Sequence, residues 1–329
     1  MRFILRLLLV AALLAPALLP GWLIYFAGQP LQLPVTPFQF ELKSGASVQS
    51  LARQLVDRGL LAEPWSFIVL ARTLGKSSQL KPGRYELAES ISPADLLNKI
   101  TKGLLAQSEI TFIEGQTFAQ MRKIMDAHPD AKHDTTGLSE SEILQRVGAA
   151  EAAAEGLFFP DTYAFNKGMS DVDILKRSYT TMQSRLASAW GKRAGSVPYA
   201  DPYQALIMAS IIEKETGSKT ERPIIAAVFV NRLRSRMRLQ TDPTVIYGIA
   251  DKYDGTLRKR DLATDTPYNT YLHPGLPPTP IAMPGRASIE AALNPSDSSA
   301  LYFVSRGDGS HEFSASLAEH NRAVAKFQR

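Results

Sequence analysis

Leu206-Ile-Met-Ala-Ser-Ile-Ile-Glu-Lys-Glu-Thr-Gly217 begins with seven residues of which only Ser210 is polar. At a helical period the apolar side chains point all the way around the axis, which is typical of a helix in the middle of a domain. Glu213 and Glu215 follow abruptly, just before a predicted helix end at Thr216-Gly217. We therefore expect a buried central helix that carries two carboxylates at its C-terminal end.

The two glutamates are expected to face different surroundings. Glu215 shares the helical sector of Met208, whereas Glu213 shares that of Leu206. Because residues two apart on a helix point to different sides, a cooperating pair is not expected.

A carboxyl group at the end of a buried helix is expected to have a raised pKa. Burial disfavours the charged form, and the negative end of the helix dipole disfavours it further. A carboxyl that stays protonated near neutral pH is what a general acid in glycoside cleavage needs, as in lysozyme. On this segment alone the alternative stays open that the glutamates are solvated or paired with Lys214, Lys219 or Arg222.

Length and composition narrow the class of protein. The 329 residues suffice for two or three compact units. A net charge of +5 suits an acidic polymer or an anionic membrane face, but it is too small to indicate nucleic acid binding. The chain has no cysteine, which excludes disulfides, thiol catalysis and thiolate metal sites.

The N-terminus predicts where the protein resides. Arg2 and Arg6 precede an uncharged run from Leu7 to Ala27 that is long enough to cross a bilayer as a helix. We expect residues 1–6 in the cytoplasm, a single transmembrane helix over 7–27 and the remainder in the periplasm, held at the inner membrane. Trp22 near the far end fits the interface.

The alternative for the N-terminus is a cleaved signal peptide. Ala15-Pro-Ala17 has the small residues of a cleavage site. The apolar run continues well beyond it, which favours an uncleaved anchor.

Residues 28–37 predict a proline-punctuated linker, and residues 38–103 predict a small βααβ unit. Phe38–Leu42 alternates apolar and polar residues like a half-buried strand. Ser47 is a good N-cap for a first helix, a second begins near Trp65, and Tyr85 starts a strand. This order resembles the LysM-type glycan-binding module, so we expect a LysM-like unit, with no binding residue assigned.

Residues 104–329 predict a larger mixed α+β domain around the central helix. Prolines between 275 and 285 favour an extended backbone, typical of a binding-groove wall. The aromatic stretch 155–163 is interpreted as packing against the central helix. The predicted strands and helices are Ile110–Ile113, Phe118–Met125, Ser139–Ala154, Val172–Ala189, Pro223–Arg236, Ser288–Leu293, Leu301–Val304 and Ser316–Phe327.

Absent motifs exclude several chemistries. The five histidines show no metal-binding spacing. The sequence has no nucleophile elbow, P-loop or dinucleotide fingerprint. We expect no metal and no cofactor, and carboxylate chemistry remains.

Several long motifs resemble one family. Together they resemble the YceG-like family of membrane-anchored endolytic murein transglycosylases. The motifs are Glu155-Gly156, Phe159-Pro-Asp-Thr-Tyr163, Ala209-Ser-Ile-Ile-Glu-Lys-Glu-Thr216, Asn231-Arg-Leu233, Leu239-Gln-Thr-Asp-Pro-Thr-Val-Ile-Tyr-Gly248, Tyr268-Asn-Thr-Tyr271 and Gly275-Leu-Pro-Pro278.

The resemblance implies an activity and a catalytic residue. It implies a lysozyme-like catalytic domain that cleaves MurNAc-β-1,4-GlcNAc bonds within peptidoglycan strands and leaves 1,6-anhydro-MurNAc ends, terminating the elongation of nascent strands. The family's general acid/base matches Glu215.

Other residues are expected to bind substrate. The candidates are Glu213, Gln240, Thr241, Asp242, Tyr268, Asn269 and Tyr271. Two alternatives remain open: Asp242-Pro243 caps the helix that follows, and Glu213 is a plain ion-pair member.

Two further functions compete with the lytic transglycosylase. A non-catalytic, membrane-anchored wall-binding scaffold would not need the acid at position 215, and Glu is present. A membrane-bound peptidase lacks its nucleophile and metal spacings. The expected partners are peptidoglycan strands, the inner membrane and peptidoglycan synthases, with no nucleic acid.

Overall fold

A computed structural model describes residues 20–195, 197–218 and 220–328. The chain divides into two compact units. Unit 1 comprises residues up to Ser108 together with Ala164–Met169, and unit 2 comprises Glu109–Tyr163 and Ser170–Arg329. The fold is mixed α+β, as predicted, with several helices and three two-stranded sheets among the described residues.

Unit 1 has the predicted β–α–α–β order, followed by a third helix. Strands β1 and β2 pair antiparallel, with Phe38 opposite Leu87. The alternate residues of β1 are buried, as its pattern predicts. Residues 20–28 are helical and are labelled α1. The other elements are β1 (Phe38–Leu42), α2 (Val48–Asp57), α3 (Trp65–Thr73), β2 (Gly83–Leu87) and α4 (Pro93–Lys102).

The helix ends of unit 1 follow local sequence signals. The Ser47 hydroxyl accepts a hydrogen bond from the Ser50 backbone N–H at the start of α2. Ser92 caps α4 in the same way, and Gly103 ends α4 in the left-handed conformation that glycine tolerates best. These caps satisfy terminal backbone groups around a continuous apolar core.

The described residues contain no helix with the length and apolar character that a bilayer crossing requires. Most of the transmembrane helix predicted over 7–27 lies outside the described residues.

Two strands, β3 and β4, pair with each other, and the boundary between the units falls within both. Strand β4 was not predicted, because residues 159–163 indicated a proline turn. Helix α6 is shorter than predicted: it ends at Val147, where Gly148 adopts a left-handed conformation, so the extension to Ala154 is wrong. The elements are β3 (Gln107–Thr111), α5 (Phe118–Asp126), α6 (Glu140–Val147) and β4 (Thr162–Asn166).

Helices of unit 2 surround the central helix, α8. Helices α7, α9, α10 and α12 all pack against it. Strands β5 and β6 form an antiparallel hairpin that α13 covers. The elements are α7 (Asp171–Gly191), α8 (Pro202–Glu215), α9 (Arg222–Arg234), α10 (Asp242–Gly248), a 3-10 turn (Ala250–Lys252), α11 (Lys259–Leu262), α12 (Arg286–Leu293), β5 (Tyr302–Ser305), β6 (His311–Ser314) and α13 (Leu317–Phe327).

Gly156 is a point at which unit 2 has no room for a side chain. Its φ is +79°, and a Cβ there would lie 2.4 Å from Pro280 Cβ. We expect Gly156→Ala to lower the free energy of unfolding by about 2–5 kcal/mol, because left-handed strain adds to overpacking. Urea denaturation of the purified protein measures this change.

Gly137→Ala is the matched control. Gly137 has φ +76°, with nothing within 4 Å of the added Cβ. We expect only the strain cost of about 1–2 kcal/mol. Equal losses in the two variants would contradict the close approach of Pro280.

Candidate active site

Helix α8 carries Glu215 out of the core of unit 2. The Asp201 side chain caps the helix by accepting from the Gln204 N–H at 2.9 Å, and Pro202 occupies the first turn. Every residue from 205 to 212 is buried, which confirms the predicted all-round burial. The helix ends at Glu215 because Thr216 has an extended backbone.

Glu215 lies at the boundary between this core and a cavity. The Thr241 hydroxyl donates a hydrogen bond to Glu215 Oε1. Burial raises the pKa of Glu215 to about 7, and the charge of Asp242 also raises it. The Thr241 hydrogen bond and the charges of His311 and Arg232 oppose this rise. The group is therefore poised to hold or release a proton near neutral pH.

The cavity has a volume of about 540 Å³. It brings together elements that are far apart in sequence: the end of α8, the segment before α10, the β5–β6 hairpin and α13. Within the described ranges, no group of three or more acidic or histidine side chains could hold a metal ion. The lining residues are Glu215, Arg232, Leu239, Gln240, Thr241, Asp242, Tyr271, Tyr302, Phe303, Val304, Ser305, His311, Leu317, His320, Asn321, Val324 and Gln328.

Four predicted site residues line this cavity beside Glu215: Gln240, Thr241, Asp242 and Tyr271. The Tyr271 hydroxyl donates to Asp242 Oδ1 at 2.6 Å. Gln240 has φ +50°, a conformation that is uncommon for a residue with a side chain. Such strain is typical of functional sites, since the surrounding structure must hold the residue in place.

One alternative interpretation of Asp242 was that it caps the helix that follows. It is the first residue of α10, and Thr241 holds the cap position without a side-chain cap hydrogen bond. A negative charge in the first turn still interacts favourably with the helix dipole.

Arg232 is a cavity residue that the sequence did not identify as functional. Its Nε donates to Leu301 O at 2.7 Å and its Nη1 to Leu239 O at 2.8 Å. The guanidinium lies 5.2 Å from the centre of the Tyr302 ring. Arg232 thus joins two walls of the cavity and places a positive charge near Glu215. Its position within the Asn231-Arg-Leu233 motif was the sequence signal that could have identified Arg232 as functional.

His311 was also missed, since nothing in the sequence connects it with residues 215 or 241. Glu221 accepts from the His311 backbone N–H at 2.9 Å and lies 2.8 Å from its Nδ1. The ring also packs edge-on against Phe303. The carboxylate fixes the orientation of the imidazole in the cavity wall.

Glu213 faces away from Glu215, as the helical spacing predicts. Its carboxylate forms a buried ion pair with Arg222 at 3.1 Å. Glu213 Oε2 also accepts from the Gly285 N–H at 3.0 Å and the Ser288 hydroxyl at 2.7 Å. Glu213 is absent from the cavity lining, so the geometry matches its alternative interpretation as an ion-pair member. Of the other two proposed partners, Lys214 donates to Gly115 O at 3.2 Å, and Lys219 lies outside the described residues.

Tyr268 and Asn269 support the cavity without lining it. Asn269 is fully buried, and its side-chain N–H groups donate to two backbone carbonyls. Its Oδ1 accepts from the Tyr271 N–H at 2.9 Å. The Tyr268 hydroxyl lies 2.8 Å from that of Thr279.

The proline-rich segment 275–285 was predicted as a groove wall. It does not line the Glu215 cavity. Instead, the Ile281 N–H donates to Ser210 Oγ at 3.0 Å, which fastens the segment to α8.

Glu155 is a second buried carboxyl, 5% exposed. Its oxygens accept from the Phe118 N–H at 3.0 Å and the Tyr247 hydroxyl at 3.0 Å. Burial raises its pKa to about 7. Phe118 and Phe158 stack at 5.2 Å beside it. Residues 155–160 and Tyr163 are therefore buried, and the interpretation that this stretch packs against the central helix stays a prediction.

Comparison with known proteins places this geometry in context. The sequence pattern of the YceG-like family matches residues 40–326. An endolytic murein transglycosylase of Bacillus subtilis is 32% identical over 332 aligned positions, which cover 92% of this chain and 89% of that protein. An endolytic murein transglycosylase of Streptococcus pneumoniae serotype 2 is 27% identical, and the match covers 87% of this chain and 57% of that longer protein.

A solved structure is also similar. The 2.6 Å crystal structure of a putative YceG-like protein from Listeria monocytogenes is 29% identical, with a TM-score of 0.54. The likeness covers 87% of this chain and 98% of the other.

The two buried carboxyls should titrate near neutral pH. We expect two side-chain carboxyl ¹³C resonances to titrate near pH 7 in glutamate-labelled protein. Glu215→Gln should remove one of them and Glu155→Gln the other. Titration of both near pH 4.5, the usual value for glutamate, would contradict the burial of these groups.

Stability should change with pH in a direction that follows from these pKa values. Between about pH 4.5 and 7 folded Glu215 keeps a proton that the unfolded chain releases, so the free energy of unfolding falls as pH rises. The fall for one group is on the order of 2–3 kcal/mol. Urea denaturation of the unmodified protein and Glu215→Gln, at a series of pH values, should show a smaller fall in the variant.

Proposed function

The chain belongs to the YceG-like family, and on that basis we propose that it cleaves peptidoglycan as an endolytic lytic transglycosylase. One observation supports this above the others: Glu215 is a carboxyl with a pKa of about 7 that opens onto a cavity. A general acid for glycoside cleavage needs this combination. The similar proteins named endolytic murein transglycosylase support peptidoglycan as the substrate.

The first step would be protonation of the leaving group. In its protonated form, Glu215 donates its proton to the oxygen of the MurNAc-β-1,4-GlcNAc bond as the bond to the anomeric carbon breaks. The GlcNAc hydroxyl departs as a neutral alcohol. Arg232 and His311 then favour the carboxylate that Glu215 has become.

The second step would close the ring. The 6-hydroxyl oxygen of MurNAc bonds to its own anomeric carbon, and the Glu215 carboxylate takes the hydroxyl proton. This gives a 1,6-anhydro-MurNAc end and restores the acid. Because the nucleophile comes from the substrate, a second carboxylate at the distance found in retaining glycosidases is not required. Asp242 instead contributes a negative charge near Glu215, and the hydrogen bond from the Tyr271 hydroxyl fixes the orientation of its side chain.

The site residues would divide into two groups. Gln240, Thr241, Asp242 and Tyr271 line the cavity and can contact the sugar. Glu213 and Asn269 would act through the backbone segments that they hold, and Tyr268 through its contact with the Thr279 hydroxyl.

The N-terminal part of the chain would determine where in the cell this activity takes place. The run from Leu7 to Ala27 would anchor the protein in the inner membrane, with both units in the periplasm. The βααβ order of unit 1 supports a LysM-like glycan-binding module. Cleavage beside the membrane would act on nascent strands and terminate their elongation next to peptidoglycan synthases.

Glu215→Gln should leave a folded protein that has lost nearly all cleavage. The substitution is close to isosteric, and general acid catalysis contributes roughly 10²–10⁴-fold. Mass spectrometry of purified glycan strands after incubation with the protein would measure the loss. The unmodified protein should produce 1,6-anhydro ends, one water lighter than hydrolysis products.

Glu290→Gln supplies the matched control, because Glu290 is an exposed helix residue paired with Arg286. Its cleavage should be unchanged. An inactive Glu213→Gln beside an active Glu215→Gln would show that the acid is misassigned. Hydrated reducing ends would instead overturn the ring-closing mechanism.

Thr241→Val should move the pH profile of cleavage. The substitution removes the hydrogen bond that lowers the pKa of Glu215. The acid should therefore stay protonated to higher pH, and the decline in rate on the alkaline side should shift upward. Rates across a pH series measure this shift. Thr180→Val, on the exposed face of α7, should leave the profile unchanged; a downward shift for Thr241→Val would contradict the role of the hydroxyl.

A further inference from the structure

Unit 1 exposes apolar side chains on two neighbouring helices. On α1, Ile24 is 74% and Tyr25 65% exposed. On α3, Trp65 is 49% and Val69 37% exposed. The Trp22 and Trp65 rings stack with centroids 4.5 Å apart, which joins the two helices. We call these five residues the aromatic patch.

The other side of α1 is held by the protein. Leu23, Phe26 and Ala27 are partly buried and pack against the core of unit 1. The end of the apolar N-terminal run is therefore attached to a folded unit and does not project from it as a free linker.

The length of the run constrains where this attachment lies. Leu7 to Gly21 is about 15 residues, which as a helix would extend about 22 Å. The hydrocarbon layer of a bilayer is roughly 30 Å thick. Residues as far as Ala27 are needed to cross it. Trp22 lies about 8 Å before the end of this run, so its contact with Trp65 would bring the start of α3 close to the outer face of the hydrocarbon layer.

The chemistry of the patch suits the headgroup region. Trp and Tyr side chains favour the interface, where one part of the ring is apolar and another is wet. Arg72 follows Trp65 and Val69 on the same face of α3 and is exposed. An arginine beside apolar side chains can reach anionic lipid headgroups.

We propose that the aromatic patch docks unit 1 onto the outer headgroup layer of the membrane that holds the N-terminal run. The inference rests on the membrane placement proposed above and adds a second contact, made by α3. Unit 1 then lies against the bilayer and is not suspended on a flexible tether.

The three tryptophans of the chain supply the test. Two full-length proteins would each keep one tryptophan of the patch: Trp22→Phe with Trp190→Phe keeps Trp65, and Trp65→Phe with Trp190→Phe keeps Trp22. Both are placed in vesicles of phosphatidylethanolamine and phosphatidylglycerol that contain brominated phosphatidylcholine. Bromine quenches tryptophan emission on contact, and iodide in the water reports exposure to solvent.

Docking predicts that brominated lipid quenches both tryptophans, most strongly when the bromines lie near the headgroups. If lipid quenches Trp22 while only iodide quenches Trp65, docking is wrong and the anchor stands. If lipid quenches neither, the membrane placement itself is wrong, and docking with it. If Trp65 is shielded from both quenchers, a protein surface such as a second copy covers the patch, which also overturns docking.

A charge placed in the patch gives an independent comparison. In the protein that keeps Trp65, Val69→Glu should reduce lipid quenching of Trp65, because a carboxylate resists entry into the interface. Leu104→Glu makes the matched change at a leucine of unit 1 that is 56% exposed and outside the patch, and quenching should not change. Circular dichroism would check that both variants fold. Equal quenching in the two variants would contradict docking through α3.

Discussion

The burial of α8 on all sides is the constraint on which unit 2 depends. A helix without a polar face has to be enclosed, and here α7, α9, α10 and α12 enclose it. Ser210, its one polar interior residue, donates to Ile207 O and accepts from the Ile281 N–H. Ser210 thus attaches the proline-rich segment 275–285 to α8. The fully buried part ends at Ile212, and one turn later the Glu215 carboxyl lies where protein gives way to the cavity.

The protonation of Glu215 is a balance of opposing effects. Burial and Asp242 favour the neutral acid, whereas Thr241, His311 and Arg232 favour the carboxylate. If burial were the only effect, Glu215 would hold its proton too strongly to exchange it at neutral pH. If the positive charges were the only effect, Glu215 would be a carboxylate with no proton to donate. These groups come from four separate parts of the chain, namely α8, α9, the start of α10 and β6, so the balance exists only in the folded protein.

The sequence predicted what depends on local pattern and missed what depends on distant contacts. The buried helix, its end and the capped helices follow from periodicity and caps, whereas Glu215 was identified as the acid by the resemblance to the YceG-like family. Strand β4 was missed because the aromatic residues around Pro160 indicated a proline turn. His311 carries no local signal for the cavity that it lines, and the only sign of Arg232 was its place in the Asn231-Arg-Leu233 motif. The extension of α6 failed because the alanine-rich residues 149–154 favour a helix, although Gly148 before them ends it.

The contrast between Glu213 and Glu215 explains how the acid is kept in place. Glu213 is paired with Arg222 and also accepts from Gly285 and Ser288. These bonds fasten the starts of α9 and α12 to the last turn of α8. Removing either partner of this ion pair would leave the other buried charge uncompensated. Glu215 meets a neutral hydroxyl instead, so it can change protonation while its neighbour holds the helix end still.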